Sequence, residues 1–306
     1  MRLLKRFFTI SVIFLIVVSI AGIIYVLQFQ EESPVVKEPK KETKKIEAQK
    51  KAIPKKEKAK ALPEKTKQET LIKKETIPLP SRRVAIIIDD IGNDLKPVKE
   101  LLKINADLTF AILPLCPHAR EAAEMFHRAH RETLLHLPME PVSYPREKPG
   151  NGALFTDMND EELISQLEKD ISSVPYSAGV NNHMGSKFMM DERKLILIFN
   201  ELKKNNLFFI DSRTSPNTKA SIAAKKVGLQ VAARKIFLDN SRDYNEIYNS
   251  LINIEKADGD ASPLILIGHP HPETIRAVSD AVKVLKEKKV SIVPVSQLLK
   301  KTKNNS

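Results

Sequence analysis

The feature that most constrains the fold is an unbroken apolar run that leads straight into two adjacent acidic residues. Residues Val84–Ile88 are apolar and mostly β-branched, and Asp89 and Asp90 follow them directly. Such a run is typical of a strand that is buried on both faces, as in a parallel α/β sheet. Because α/β folds keep their chemistry at the carboxyl ends of their strands, both carboxylates are candidates for a site. The alternative is that residues 90–93 form only a turn, with Asp and Gly there for backbone reasons.

The rest of residues 81–306 alternates between strand-like and helix-like patterns. Short apolar runs are followed by stretches with apolar residues at helical spacing, which gives about eight strand–helix units. This alternation predicts one barrel-like, parallel α/β domain. The predicted strands after the first lie at 108–113, 133–137, 178–183, 207–211, 229–233, 264–269 and 290–293. The predicted helices lie at 94–103, 119–130, 159–172, 191–205, 218–227, 243–254, 273–288 and 296–300.

Residues 1–30 have the pattern of a membrane anchor. Residues 7–27 carry no charge, and these 21 residues, at about 1.5 Å each in a helix, are long enough to cross a bilayer core. Basic residues precede this segment and acidic residues follow it, so the positive-inside rule predicts a cytoplasmic N-terminus. We therefore expect a single-pass protein of the cytoplasmic membrane whose C-terminal domain is extracytoplasmic, in the periplasm. The alternative is a signal peptide cleaved after Ser19-Ile-Ala21, which would leave a secreted protein.

Residues 31–80 are typical of a charged linker. They contain 15 Lys, 9 Glu and 6 Pro but no aromatic residue and no Gly. Such a composition cannot bury enough apolar surface to offset the entropy of ordering, so we expect a disordered linker. Residues 1–80 hold 18 Lys and Arg against 9 acidic residues, which leaves only +3 of the net +12 for residues 81–306. A nearly neutral domain without a basic stripe argues against a nucleic-acid partner.

Most of the predicted strands end on a side chain that can bind a metal or transfer a proton. In a parallel barrel these ends converge on one mouth, so the side chains are expected to meet. Because Cys116 is the only cysteine, a cysteine cluster is excluded, whereas two histidines and an aspartate with water form a typical catalytic zinc set. A metal activates water while a carboxylate and a histidine move protons, which is machinery for hydrolysing an amide or an ester. The residues at the strand ends are Asp89, Asp90, His136, His183, Asp211 and His269.

Five motifs follow each other along residues 82–300: Ile-Ile-Asp89-Asp90, Leu-His136-Leu-Pro-Met-Glu140-Pro, Gly-Val-Asn181-Asn182-His183-Met-Gly-Ser186, Ile-Asp211-Ser-Arg-Thr214 and Ile-Gly-His269-Pro. In this order they resemble the divergent polysaccharide deacetylase family, which is related to carbohydrate esterases that remove N-acetyl groups from chitin and peptidoglycan. The resemblance implies an irregular (β/α) barrel of about seven parallel strands, with a divalent metal, zinc in the first instance, at its mouth. It implies that Asp89 is the catalytic base and that His269 is the catalytic acid. It also implies that Asp90 and His136 are metal ligands.

The sequence departs from the deacetylase pattern at two places. That pattern has a second metal histidine four residues after the first, where this chain has Glu140, and an arginine–proline motif where this chain has Asn181-Asn182-His183. We expect His183 to supply the missing ligand, with Glu140 as the substitute candidate. For Asp211 two interpretations stay open: it orients Asp89 or a histidine as part of the catalytic set, or it only forms an Asx turn.

Three functions follow as hypotheses. The first is a membrane-anchored, extracytoplasmic, metal-dependent hydrolase that removes acetyl groups from a carbohydrate polymer of the cell wall or envelope. The second is a catalytically weak or inactive glycan-binding or envelope-assembly module on the same barrel, because the arginine motif is missing. The third and weakest is a metal-dependent phosphoesterase, since the motifs offer only Arg213 and Lys187 as cations for a phosphate.

Overall fold

A computed structural model describes residues 82–254 and 263–299 of the chain. Within these two ranges no helix is both long enough and apolar enough to cross a membrane. The predicted anchor at 1–30 and the predicted linker at 31–80 lie outside the described residues, so both remain predictions.

The described residues fold into a parallel β-sheet whose strands are connected mostly through helices. Every segment predicted as a strand contains one, although several are shorter than expected. The strands are β1 (Arg82–Ile91), β2 (Thr109–Ile112), β3 (Glu132–Met139), β4 (Ser177–Met184), β5 (Phe208–Asp211), β6 (Val231–Ala233), β7 (Ile236–Phe237), β8 (Leu264–Gly268) and β9 (Val290–Ile292). The helices are α1 (Leu95–Leu101), α2 (Ala119–Arg128), α3 (Asp160–Ser173), α4 (Glu192–Lys204), α5 (Ala220–Val227), α6 (Tyr244–Ile252), α7 (Pro272–Glu287) and α8 (Val295–Leu299), with a 3₁₀ turn at Phe188–Met190.

The sheet curls so that its two end strands follow each other in the chain. The strand order is β6-β5-β4-β3-β2-β1-β8-β7, and β9 pairs with the first residues of β1. Only Arg234 and Lys235 lie between β6 and β7. The amide of Arg234 donates to the carbonyl of Asp211 on β5 at 3.0 Å, and that of Lys235 donates to the carbonyl of Ile265 on β8 at 2.8 Å. This short crossing therefore connects the two ends of the curled sheet.

Alternation along the strands separates two apolar layers. Ala85 and Ile87 of β1 pack with Ile265 and Ile267 of β8 in a cluster on the inner face of the curl. The residues between them, such as Ile86, belong to the larger cluster that packs against the helices. Both faces of the central strands are thus buried, which explains why β1 needs an unbroken apolar sequence. Each fully buried side chain of this size contributes about 1.5 to 3 kcal/mol to the free energy of folding.

A long connection between β3 and α3, residues 140–158, borders the mouth of the curl and is called the mouth loop below. Two hydrogen bonds attach it to the end of β3: Leu154 N donates to the carbonyl of Pro138 at 3.0 Å, and Glu140 N donates to the carbonyl of Leu154 at 2.9 Å. The loop ends at Asn159, which caps α3 as predicted by accepting from the amide of Glu162 at 3.0 Å.

The count of strands differs from the sequence-based expectation. We expected about seven parallel strands, and within the described residues the sheet has nine. The apolar runs themselves predicted eight strands, with β9 among them, so the one strand that they missed is β7, which follows the predicted strand at 229–233. Strand β7 contains only two residues, which is too short for an apolar period to be visible in the sequence. The parallel, curled α/β sheet itself is confirmed.

Candidate active site

Alternation along the strands directs several polar side chains toward the mouth of the curl. On β1, Asp89 comes two residues after Ile87, which belongs to the inner cluster, so Asp89 lies on the inner side as well. On β3, His136 follows the inner residue Leu134 by the same spacing. His269 comes directly after β8 and continues the inner row of that strand. These three strands therefore bring Asp89, His136 and His269 together, as the sequence predicted.

The pairing of β3 with β4 adds two further side chains to this group. The register places His136 opposite Asn181 and Pro138 opposite His183. Because Asn181 and His183 are two residues apart on one strand, both lie on the side that His136 occupies. A shift of the register by one residue would direct both to the helix side instead.

Asp90 reaches the same place by a different route. On a regular strand it would point away from Asp89, but its backbone is left-handed, with φ of 57°, which few non-glycine residues adopt. In this conformation Asp90 Oδ1 lies 3.1 Å from His136 Nε2 and 3.0 Å from His183 Nδ1. The strand end is thus both a turn and part of the site.

Asp90, His136 and His183 form a compact set of potential metal ligands. The distance between His136 Nε2 and His183 Nδ1 is 3.1 Å, so the three ligand atoms form a nearly equilateral triangle. Ligand atoms of a tetrahedral zinc ion lie about 3.3 Å apart, given bonds of about 2.0–2.1 Å. Asp90 Oδ1 is buried and faces the two imidazole nitrogens, and no other described group is a partner for it. A buried carboxylate oxygen whose only neighbours are two imidazole nitrogens suits a divalent cation of the zinc type.

The ionisation of these ligands reflects their mutual contacts. Burial alone would raise the pKa of Asp90, but His136 and His183 outweigh it and hold the pKa of this carboxyl well below its usual range. Burial alone would lower the pKa of His136, but the negative charges of Asp89 and Asp90 prevail and raise the pKa of this histidine to about 9. Asp90 is therefore the permanently charged member of the set.

Asn181 connects this set to the neighbouring carboxylate of Asp89. Its Nδ2 donates to Asp89 Oδ1 at 2.8 Å, so its Oδ1 is the acceptor for Nδ1 of His136, 2.9 Å away. A histidine whose Nδ1 donates in this way presents Nε2 as its ligand atom. The side chain of Asn181 therefore orients a potential metal ligand and the predicted base together, a role that the sequence analysis did not assign to it.

Asp89 is a buried acid with few partners. Its side chain is almost completely shielded from solvent, and its Oδ2 lies 3.7 Å from His136 Nε2. Burial raises the pKa of Asp89 above its ordinary value, while His136 and the hydrogen bond from Asn181 act in the opposite direction. A carboxylate with a raised pKa is a better proton acceptor than an exposed one.

His269 stands on the other side of Asp90 and is held by a residue that the sequence analysis missed. Asp239 Oδ1 lies 3.0 Å from His269 Nδ1, and Asp239 Oδ2 accepts from the backbone N of His269 and from Thr274 Oγ1. His269 Nε2 lies 3.8 Å from Asp90 Oδ2 and thus faces the site. Burial lowers the pKa of His269, but Asp239 and Asp90 outweigh burial, and the net shift is upward. No periodic pattern in the sequence marks Asp239, because the strand before it, β7, contains only two residues.

Asp211 lies apart from this group in the contacts that the structure describes. The inner cluster contains Phe208 and Ile210 of β5, so alternation directs Asp211 to the helix side. Its Oδ1 accepts from the backbone N of Arg213 at 2.8 Å, which is the Asx turn that we left open as one interpretation. Among the described residues no hydrogen bond joins Asp211 to Asp89 or to a histidine, so a catalytic role for Asp211 stays a prediction.

Glu140, the substitute candidate for a metal ligand, is engaged elsewhere. Its Oε2 accepts from the backbone N and the hydroxyl of Thr156, at 2.8 and 2.6 Å, and its Oε1 forms an ion pair with Lys187 at 2.8 Å. Its backbone carbonyl accepts from Lys187 N and Phe188 N. Glu140 therefore fastens the mouth loop to the segment after β4, while His183 occupies the third ligand position of the triangle.

A cavity of about 390 Å³ opens beside the ligand triangle. Asp90 and His183 line it together with residues 148–151 of the mouth loop. The segments after β1 and β2 also contribute to the lining, with Asn93, Leu113, Pro114 and Cys116. A cavity of this size is typical of a small-molecule site and has room for a sugar unit beside the ligands.

Comparisons with known proteins agree with this fold. The chain is 36% identical over 226 residues to the uncharacterized protein YibQ of Escherichia coli K12, which covers 72% of this chain and 69% of that protein. It is 32% identical over 208 residues to an uncharacterized protein of Haemophilus influenzae, and the aligned region covers 67% of this chain and 72% of that protein. A crystal structure of an uncharacterized protein from Agrobacterium tumefaciens C58 superposes with a TM-score of 0.66 at 22% identity, covering 71% and 89% of the two chains, and shares the fold. The profile of the divergent polysaccharide deacetylase family matches residues 86–299, and the chain belongs to this family.

Proposed function

We propose that this protein is a metal-dependent hydrolase that removes acyl groups, acetyl in the first instance, from a glycan. The single observation that carries the proposal is the triangle of Asp90, His136 and His183, with distances of 3.0 to 3.1 Å between the three ligand atoms. Membership of the divergent polysaccharide deacetylase family supports a carbohydrate as the substrate.

The same three residues would hold the metal, and two imidazoles with one carboxylate are a ligand set of catalytic zinc. When bound, such an ion polarises a carbonyl oxygen and makes water more acidic. Asn181 would keep His136 in the orientation that presents Nε2, because its amide oxygen accepts from Nδ1 of that ring. The left-handed backbone of Asp90 keeps the third ligand between the two rings.

Two residues beside the triangle would move the protons of the reaction. Asp89 would take a proton from the water that attacks the acyl carbon, as burial raises its pKa and Asn181 fixes its carboxylate. His269, whose pKa Asp239 raises, would give a proton to the nitrogen or oxygen that leaves with the sugar. The bond between acyl carbon and this atom breaks, and the products are a free carboxylate and an amino or hydroxyl sugar.

The location of the enzyme is part of the same proposal. Residues 7–27 would anchor the chain in the cytoplasmic membrane and residues 31–80 would link the anchor to the catalytic domain in the periplasm. Envelope glycans would then be within reach of the site. A barrel of seven strands would result if β6 and β7, which only two residues separate, acted as one strand and β9 stayed outside the ring.

Metal content and acetate release test the proposal in one experiment. The full-length chain, purified in detergent without chelator, should bind about one zinc ion, and His136→Ala and His183→Ala should lose it. The same preparation should release acetate from acetylated glycans, and Asp89→Asn should lose this activity while keeping the metal. A native protein that takes up no zinc when zinc is supplied would overturn the proposal. A protein that binds zinc and acetylated glycans but releases no acetate would be a glycan-binding module on the same fold.

A further inference from the structure

The cavity beside the metal-ligand triangle has an unusual distribution of charge. Among the described residues that line it, Lys148 of the mouth loop is the only lysine or arginine. Asp90 is the only carboxylate in the lining, and it belongs to the ligand set. No described carboxylate is paired with Lys148. Lys148 is exposed, so the cavity borders one solvent-accessible positive charge that has no carboxylate partner in the described part of the chain.

The other side chains of the cavity make this charge more effective. Leu113, Pro114, Pro138 and Pro149 give the cavity apolar walls, and walls of low polarizability focus the field of a nearby charge.

The wall that carries Lys148 is held in place from two sides. At one end of the mouth loop, the carboxylate of Glu140 accepts two hydrogen bonds from Thr156 and one from Lys187. Near residues 148–151, Gly152 packs so closely on the buried carboxyl of Asp170 that a Cβ at this position would collide with it. The loop is therefore fitted to the body of the domain, and Lys148 is presented to a preformed cavity.

We propose that this cavity binds the sugar that carries the scissile acyl group, and that Lys148 recognises an anionic substituent, a carboxylate or a phosphate, on that sugar. The inference rests on the proposed function, because it places the acyl group at Asp90 and His183. With the acyl group there, the ring fills the cavity and its far substituents face the mouth loop. The substrate class is then an acylated amino sugar with a negative charge rather than a neutral one.

Binding of matched sugars to the full-length, zinc-supplied protein tests this inference without requiring turnover. N-acetylmuramic acid and N-acetylglucosamine differ by one carboxylate-bearing group, and N-acetylglucosamine 6-phosphate carries a phosphate instead. In NMR titrations we expect one of the two anionic sugars to bind about three to ten times more tightly than the neutral sugar. Whichever anionic sugar binds more tightly shows whether the recognised group is a carboxylate or a phosphate. Added salt should reduce the preference, since it screens the ammonium group.

Three variants connect the preference to Lys148. Lys148→Met should abolish it, Lys148→Arg should keep most of it, and Lys283→Met, which removes an exposed lysine from α7 outside the cavity, should leave it unchanged. Equal binding of neutral and anionic sugars by the native chain would overturn the inference, and so would a preference that survives Lys148→Met or an absence of saturable anionic-sugar binding at millimolar concentrations. A preference that depends on Lys148 without any acetate release would support the inference and contradict the proposed hydrolase.

Discussion

The side-chain nitrogen of Asn181 donates a 2.8 Å hydrogen bond to Oδ1 of Asp89, across 92 residues of sequence. The amide oxygen of the same side chain accepts from His136, 2.9 Å away. One amide therefore fixes the predicted base and a predicted metal ligand relative to each other. Asn181 belongs to the segment Asn181-Asn182-His183, which stands where the deacetylase pattern has an arginine–proline motif.

Replacing Asn181 by leucine should damage both functions of this amide. Because the substitution removes an orienting partner of a metal ligand and leaves the buried carboxylate of Asp89 without its donor, we expect acetate release to fall about 10- to 100-fold. Zinc should also be lost more readily to a chelator. The matched control is Asn200→Leu on the exposed face of α4, which should change neither quantity. Full activity in Asn181→Leu would show that Asp89 needs no such support.

Asp239→Asn should move the alkaline limb of the pH profile of turnover to lower pH. The carboxylate of Asp239 raises the pKa of His269, and an acid catalyst must carry its proton to act. Without the negative charge, His269 loses its proton at a lower pH, and activity disappears earlier as the pH rises. The measurement is kcat as a function of pH. Thr274→Val removes one hydrogen bond to Asp239 but keeps the charge, so its alkaline limb should move much less.

The ends of long strands could be predicted from the sequence because apolar runs mark them without ambiguity. Asp89, His136 and His269 each follow such a run, and the structure brings them to the same mouth. The register of β3 and β4, which sets Asn181 against His136, depends on pairing across the sheet. No local pattern in the sequence contains that information.

Asp239 and Glu140 show two different reasons why sequence reasoning was incomplete. Asp239 follows β7, and a strand of two residues leaves no periodic pattern that could reveal the site beyond it. Glu140 lies at the position where the family pattern has a ligand, but its partner Thr156 is 16 residues away. A carboxylate whose oxygens accept hydrogen bonds from a distant loop cannot be distinguished from a metal ligand in the sequence, because the position of the loop is known only from the structure.

Glu140→Ala should therefore lower stability without changing metal content. The substitution leaves the backbone N and hydroxyl of Thr156 without their acceptor, and an unmade buried hydrogen bond costs about 1 to 3 kcal/mol. Zinc per chain should equal that of the native protein, whereas the midpoint of thermal unfolding should fall. Glu147→Ala alters another acidic residue of the mouth loop, one that is exposed and paired with Ser143, and should have little effect. Loss of zinc in Glu140→Ala would return Glu140 to the ligand set.

Asp170 predicts a pH dependence of stability that is independent of the metal site. Its side chain is completely buried on α3 and accepts from Gln166 at 2.9 Å, and its Oδ2 has no partner among the described residues. Burial raises the pKa of Asp170 from 3.8 to about 7. Between about pH 4 and about pH 7, Asp170 keeps a proton in the folded state that it has lost in the unfolded state. The free energy of unfolding therefore falls as the pH rises through this range. Above about pH 7 the fall ends, because both states are then ionised.

Asp170→Asn removes this term, since an amide has no proton to lose in this range. The stability of the variant relative to the native chain should rise between about pH 4 and about pH 7 and then stay constant, with an upper bound of about 4 kcal/mol. Denaturant unfolding of both proteins over a series of pH values measures the difference. Glu168→Gln, on an exposed position of the same helix, should show no comparable trend. A difference between Asp170→Asn and the native chain that does not change with pH would mean that the buried carboxyl keeps an ordinary pKa, and that a cation or water compensates its charge beneath Gly152.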